Sequence, residues 1–188
     1  MANKRTIAVT EEQLTEIIQT MRQGFTGCRA NNRIATALLL EANLGIRISD
    51  IVKLKLKDIV KDNKRYRLDI TEQKTGKQRT FTVPNEIYQM LKIYTLENGI
   101  KPNEIIFPIT ERAVQKQLKI VCDWLEYDGI STHSFRKFFA TKIYTDNNYN
   151  IALVQQLLQH SSPAVTQRYI GISTQEIEKA LNKHTIII

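Results

Sequence analysis

Apolar residues recur at helical intervals in the first quarter of the chain. Thr10-Glu11-Glu12-Gln13 has the pattern of a capping box, and the apolar residues after it predict an amphipathic helix that ends near Gly24. A second helix is predicted over residues 34–44, because Gly45 can close it in a left-handed conformation. This pattern places Arg47 just beyond a helix end.

The middle of the chain changes its period. Ser49 and Asp50 are predicted to cap a short helix that carries apolar residues up to Leu54. Residues 66–70 and 79–83 alternate apolar and polar side chains, which predicts two strands on either side of a turn formed by Lys74-Thr75-Gly76-Lys77.

Helical periodicity returns in the second half. Pro163 is suited to the first position of a short helix that reaches Tyr169. The expected fold class is therefore mainly α with a small antiparallel β-sheet, an α+β protein. The other predicted helices cover residues 85–97, 111–127, 134–145, 151–159 and 174–183.

Length and composition are those of an ordinary globular protein. The chain has 188 residues, of which 42% are hydrophobic and 24% charged, so it is long enough to bury a core and disorder is excluded. It contains no internal repeat and no long Pro-, Gly- or Ser-rich linker. We therefore expect one domain.

The charge balance favours a polyanionic partner. Lysine and arginine outnumber aspartate and glutamate by 27 to 19, giving a formal net charge of +8. Nucleic acid is the first partner to consider. Modest basicity also serves solubility, so charge alone does not identify a ligand.

Cysteine content and hydropathy indicate the cellular compartment. Cys28 and Cys122 are far apart and belong to no Cys or His cluster, which predicts reduced thiols without a disulfide or a zinc site. The N-terminus lacks the apolar segment of a signal peptide, and no run approaches the roughly 18 apolar residues of a membrane span. A cytoplasmic protein with no membrane partner is expected.

Five short motifs follow one another in a fixed order. With them, the chain from about Thr10 to about Ala180 resembles the catalytic domain of a tyrosine recombinase of the phage-integrase family. The resemblance implies the tyrosine recombinase/integrase catalytic-domain fold. The motifs are Gly45-Ile46-Arg47-Ile48-Ser49-Asp50, Lys74-Thr75-Gly76-Lys77, Thr132-His133-Ser134-Phe135-Arg136, Leu157-Leu158-Gln159-His160-Ser161-Ser162 and Thr166-Gln167-Arg168-Tyr169.

The resemblance also bears on domain organisation. Full-length family members usually carry an additional N-terminal helical domain that binds the core DNA, and no segment here corresponds to it. We expect residues 1–188 to form a single catalytic domain, as in a fragment of a longer protein.

Two arginines are the expected phosphate clamps. A planar guanidinium can donate paired hydrogen bonds to two non-bridging phosphate oxygens, and the motifs assign this role to Arg47 and Arg136. Either arginine alone would more often be a solvated surface residue. His133, three residues before Arg136 at a predicted helix start, is a candidate base and phosphate-binding group.

Tyr169 is the expected nucleophile. The chain has 7 tyrosines, most of which should serve packing, but only Tyr169 stands at the motif spacing from His160. A phenol with a pKa of about 10 is hardly ionised at neutral pH, so cations must assist it. His160 is expected to donate a hydrogen bond to the phosphate. His184 lies outside every motif and is expected to be structural.

The predicted turn supplies the expected general acid. A lysine ammonium at this position could protonate the departing 5'-oxygen, and we favour Lys74 while Lys77 remains a competitor. A solvated turn lysine is the plain alternative for either. Asp50 is expected to orient a neighbouring cation or to cap a helix.

The expected reaction needs no metal and no cofactor. No acidic cluster has the spacing of Mg2+ ligands, and no phosphate-binding loop motif is present. The resemblance implies a site-specific recombinase, or integrase, that cleaves and rejoins double-stranded DNA through a 3'-phosphotyrosine, with mobile-element integration and excision as the favoured role. Its members act as tetramers with copies of themselves, although an isolated catalytic domain can be monomeric.

Three other readings remain open. Resolution of chromosome or plasmid dimers would use the same residues, and a type IB topoisomerase would use the same chemistry. A non-catalytic DNA-binding regulator would explain the basicity alone.

Three features depart from the family pattern or extend it. Gln159 stands where the family commonly has glycine, and Ile46 replaces a frequent leucine. The apolar tail over residues 185–188 is expected to dock on a neighbouring protomer, to form an edge strand in its own sheet, or to be a frayed end.

Overall fold

A computed structural model describes residues 6–74, 76 and 78–170, without the side chains of residues 79, 81 and 168. The described part is mostly helical with one antiparallel sheet, which confirms the predicted fold class. In chain order the elements are α1 (Glu11–Gln23), α2 (Asn32–Leu44), α3 (Ile48–Ile51), β1 (Ile59–Asp62), β2 (Arg65–Thr71), β3 (Gln78–Val83), α4 (Asn85–Glu97), α5 (Glu111–Trp124), α6 (Thr132–Asp146), α7 (Ile151–Leu158) and α8 (Pro163–Ile170).

The ends of the first two helices follow the sequence signals. The Thr10 hydroxyl accepts from the Gln13 amide at 3.2 Å, and the Gln13 side chain accepts from the Thr10 amide at 3.0 Å. This reciprocal capping box begins α1 as predicted. Gly45 ends α2 in the left-handed conformation at φ 57° and ψ 25°, which glycine adopts without a Cβ penalty.

Buried apolar side chains from α1, α2, the sheet and α5 form a continuous core. α2 supplies many of these residues and is buried along most of its length. Removing this apolar surface from water is the main stabilising contribution, at roughly 25 cal/mol per Å². The core includes Ile17, Met21, Leu38, Leu40, Leu68, Phe107, Leu118 and Phe135.

The sheet has one strand more than the sequence predicted. β1 pairs with β2 from Ile59 opposite Leu68 to Asp62 opposite Arg65, and β2 pairs antiparallel with β3. β1 has only four residues and little alternation, so its periodicity was too weak to predict a strand. Asn63 was a usable signal for the hairpin. It lies in the two-residue connection to β2 with φ 56°, and asparagine is preferred at such positive angles in tight hairpins.

Two other helix predictions require comment. The prediction of α5 to residue 127 was wrong at its end, because the helix stops at Trp124 and Glu126 then takes a left-handed φ of 58°. The predicted helix over residues 174–183 lies outside the described residues, as does the apolar tail over residues 185–188.

The chain divides into two compact units, Met1–Phe139 and Ala140–Ile188. The first contains the core, the sheet and the first half of α6. The second contains the rest of α6 with α7 and α8, which contact each other. No helix among the described residues is long and apolar enough to cross a membrane.

Candidate active site

Arg47 lies at the junction between α2 and α3, as the sequence predicts. The left-handed Gly45 turns the chain, and Arg47 takes the extended N-cap position of α3 without capping it through its side chain. Its side chain is 17% exposed, and its Nη1 donates to Glu72 Oε2 at 2.5 Å. The guanidinium is therefore fixed by a buried carboxylate and still reaches the surface.

Asp50 does not cap α3, so that prediction was wrong. It is buried inside the short helix, and its Oδ1 accepts the Gln73 amide at 2.8 Å. Burial raises the pKa of Asp50 above its usual value, and Glu72 adds to this, whereas the Gln73 hydrogen bond and Arg47 oppose it. The aspartate connects α3 to the β2–β3 turn.

Arg136 lies in the first half of α6 and is only 2% exposed. Its Nη1 donates to the Gly45 carbonyl, which joins the second arginine to the turn that carries the first. A Cβ on Gly45 would stand 2.3 Å from Cδ1 of Phe139. Glycine at position 45 therefore serves both the left-handed turn and the close approach of α6.

His133 lies three residues before Arg136 in the first turn of α6. The ring is exposed, but neighbouring groups remove part of its hydration, and this desolvation lowers its pKa below the usual value. The charges of Arg136, Lys74 and Arg47 lower the pKa further, while Glu111 opposes them. The neutral imidazole, which can accept a proton, is therefore favoured.

Lys74 is exposed in the connection between β2 and β3, as predicted. Its charge acts on His133, so the turn carries the ammonium to the arginine cluster. Its competitor Lys77 lies outside the described residues.

Glu41 was not identified from the sequence as a site residue. Its side chain is fully buried on α2, close to Arg136 and to the Ile48 amide. Burial raises its pKa well above the usual value, although the charge of Arg136 and the Ile48 amide oppose the shift. The sequence did contain a signal for a buried acid, because Glu41 interrupts the apolar run over residues 37–42.

The second unit holds His160 and Tyr169. α7 ends at Leu158, and Gln159 takes a left-handed φ of 53°, which directs the chain into His160. The imidazole Nδ1 lies 3.1 Å from the Thr166 hydroxyl, and the His160 and Tyr169 rings meet edge to face at 5.1 Å between centroids. The left-handed conformation explains physically why glycine suits the position of Gln159.

Thr166 determines the hydrogen-bonding options of His160. Its hydroxyl donates to the Ser162 carbonyl at 3.4 Å, so its oxygen can accept a hydrogen bond from the Nδ1–H group of His160. A neutral ring protonated at Nδ1 has an unprotonated Nε2, and only the imidazolium would also donate from that nitrogen. Its place one helical turn before Tyr169 was the only sequence signal for Thr166.

The structure thus groups the predicted residues in two sets. Arg47, Lys74, His133 and Arg136 share one electrostatic environment in the first unit. His160 and Tyr169 are in contact in the second unit. Among residues 6–74, 76 and 78–170, no group of three or more His, Cys, Asp or Glu side chains could hold a metal ion.

The fold defines the class of protein. It is the fold of tyrosine recombinase and integrase catalytic domains, shared with a XerH site-specific recombinase bound to palindromic difH substrate at a TM-score of 0.74 and 21% identity, over 97% of this chain and 54% of that one. The catalytic domain of bacteriophage HP1 integrase has a TM-score of 0.66 at 19% identity and 96% coverage of both chains.

The sequence profile of the Phage integrase family matches residues 8–176, and the chain belongs to this family. A probable integrase/recombinase YoeC of Bacillus subtilis is 34% identical over 149 residues, which are 76% of this chain and 79% of YoeC. Tyrosine recombinase XerA of Pyrococcus furiosus is 24% identical, over 96% of this chain and 62% of XerA. The chain thus spans less than two thirds of XerA.

Proposed function

We propose that this chain is the catalytic domain of a site-specific tyrosine recombinase that cleaves and rejoins double-stranded DNA. The observation that carries the proposal is the convergence of Arg47, Lys74 and Arg136 on His133, from three separate parts of the chain. Such a cluster is suited to the negative charge that develops on a phosphodiester under attack. Family membership and the presence of Tyr169 add the nucleophile.

In the proposed reaction, the phenolate oxygen of Tyr169 attacks the scissile phosphorus. A 3'-phosphotyrosyl bond forms while the bond to the 5'-oxygen breaks, and Lys74 gives that oxygen its proton. Arg47 and Arg136 bind the non-bridging oxygens, and His133, as the general base, accepts the proton that the Tyr169 hydroxyl loses. Attack by the 5'-hydroxyl of another strand reverses the step, so the energy of the phosphodiester is kept.

The proposed partners are double-stranded DNA and further copies of the same chain, in a tetramer on two duplexes. XerH and several other similar structures are described as bound to DNA, and lambda integrase as a dimer on a core site. The domain organisation stays a proposal as well: one catalytic domain that works with an N-terminal DNA-binding domain. The cytoplasm is the proposed compartment.

Mobile-element integration and excision is the role we propose first, and the similarity to YoeC and to transposon and phage integrases supports it. The second candidate is resolution of chromosome or plasmid dimers, which the similarity to Xer-type recombinases favours. Recombination between two sites on one supercoiled plasmid, compared with joining of two separate molecules, distinguishes these roles once the site is known.

The test of the chemistry needs no knowledge of the target sequence. Supercoiled plasmid is incubated with the protein in EDTA, and covalent protein-DNA product is detected after denaturation. We expect product with the wild type and with Tyr149→Phe, a tyrosine 63% exposed and outside the motifs, but none with Tyr169→Phe. Product from Tyr169→Phe would overturn the assignment of the nucleophile. If none of the three proteins forms product, the test is repeated on a longer chain that includes the DNA-binding domain. DNA binding without covalent product in that chain would support a non-catalytic regulator.

A further inference from the structure

Among the described residues, Glu72 is the hydrogen-bond partner of the Arg47 side chain, and it has no role in the proposed reaction. It follows β2 directly, and its side chain is only 1% exposed. Oε2 accepts from Arg47 Nη1 at 2.5 Å. A carboxylate is thus buried against a group that is proposed to bind an anion.

The contact leaves most of the arginine available. A guanidinium has five N–H donors in a rigid plane, and Arg47 makes no other hydrogen bond from its side chain to the described residues. Glu72 engages one end of the plane, so the remaining donors are held at a fixed angle. A phosphate could bind them without displacing the carboxylate.

The same segment is attached to α3 at a second point. Next to Glu72, the Gln73 amide donates to Asp50 at 2.8 Å, and the Gln73 side chain accepts from Lys53 Nζ at 2.5 Å. Lys74 is the next residue, and the Gly76 amide returns to the Glu72 carbonyl at 2.9 Å. The turn that carries Lys74 is therefore fixed at its base.

We propose that Glu72 is a positioning residue that fixes Arg47 and the Lys74 turn in one arrangement. The inference rests on the proposed function, in which both cations contact the scissile phosphate. Glu72 itself touches no reacting atom. It acts by orienting one guanidinium and by connecting it to the turn that carries the general acid.

Charge distinguishes positioning from simple stabilisation. A negative carboxylate beside a phosphate-binding arginine repels DNA, so removing it should strengthen binding. Loss of orientation should slow the chemical step, because small misplacements of reacting groups can reduce rates by about 100-fold. Positioning therefore predicts slower cleavage without weaker DNA binding.

The experiment compares Glu72→Ala and Glu72→Gln in single-turnover cleavage and in DNA binding. For Glu72→Ala we expect cleavage about 10- to 100-fold slower with affinity unchanged or higher. Glu72→Gln keeps a carbonyl acceptor for Arg47 and should cleave within about threefold of the wild type, a small change for a retained hydrogen bond. Asp123→Ala, which removes an exposed ion pair with Lys119 and changes net charge equally, is the control.

Two further measurements make the outcome decisive. Glu72→Ala should slow cleavage by a smaller factor in a Lys74→Ala background than in the wild type, because it acts partly through that lysine. Hydrogen exchange at the Gln73 amide should accelerate in Glu72→Ala and stay slow in Glu72→Gln, and this readout needs no catalysis. Unchanged exchange, or fully additive losses with Lys74→Ala, would overturn the inference. Failure of Tyr169 to form covalent product would instead reject the proposed function.

Discussion

Glu41 and Arg136 show how burial can set the charge of single residues near the candidate site. Glu41 is fully buried and its pKa is raised well above the usual value, so it is more often neutral than an ordinary glutamate at the same pH. A neutral carboxyl cannot cancel the positive charge of Arg136. The positive charge of the buried Arg136 is thus not offset by Glu41, which suits an anionic ligand.

The raised pKa of Glu41 makes stability depend on pH. Between the ordinary value of 4.5 and the higher folded value, the unfolded chain has lost this proton and the folded chain keeps it. Stability should therefore fall as pH rises through this window, by up to about 1.4 kcal/mol per pH unit. Urea unfolding at several pH values should show a shallower slope for Glu41→Gln. Parallel slopes would contradict the burial argument, and the exposed Glu97→Gln is the control.

A second prediction at this scale concerns His133. The charge of Lys74 contributes to its lowered pKa, so Lys74→Ala should raise that pKa. The sign means that the imidazolium persists to higher pH in the variant. NMR titration of the ring measures the change. The exposed Lys101→Ala should leave the titration unaltered, and an equal shift there would refute a local effect.

Among the elements, the short connections determine where the candidate residues lie. The Gly45 turn places Arg47, the β2–β3 turn places Lys74, and the left-handed Gln159 places His160. Sequence signals were sufficient for α1 and α2, where caps and periodicity agree, and also for α4, from its periodicity, and α8, from Pro163 at its start. They failed for contacts between segments far apart in sequence, because periodicity carries no information about partners.

The left-handed conformation of Gln159 at the end of α7 should lower the stability of the protein. A residue with a Cβ is disfavoured in the left-handed region by roughly 1–2 kcal/mol, whereas glycine is not. Gln159→Gly should therefore stabilise the protein by about 0.5–1 kcal/mol, after the greater chain entropy of glycine is subtracted. Thermal unfolding should show a higher midpoint. Gln159→Ala tests the cause, since it should bring no such gain, and equal gains from both would contradict the explanation.

At the scale of the whole molecule, the sequence predicted the class of fold but not the internal connections of the candidate site. Motif order selected Arg47, His133, Arg136, His160 and Tyr169 as candidate site residues. Glu72 was missed because a glutamate at a strand end is usually solvated, and only the folded sheet buries it against Arg47. The Asp50 contact to the turn likewise needed the tertiary structure, since its sequence context also fits a cap.

The net charge of the whole molecule predicts how its DNA affinity depends on salt. With a formal charge of +8, the protein should bind duplex DNA, and the binding should weaken with salt. The logarithm of the association constant should fall linearly with the logarithm of the salt concentration. The slope should be about −0.9 for each phosphate neutralised. Fluorescence anisotropy with a labelled duplex measures it. A flat dependence would argue against phosphate contacts, while a steep one would not separate an enzyme from a regulator.

The Gly45 turn has a consequence for how relatives of this chain can vary. Its carbonyl accepts from Arg136, and the space left by its missing side chain is occupied by the Phe139 ring, one helical turn further along α6. Substitutions at positions 45 and 139 should therefore be correlated across an alignment. A homologue with a side chain at position 45 should carry a smaller residue at position 139, so that the pair evolves as one unit.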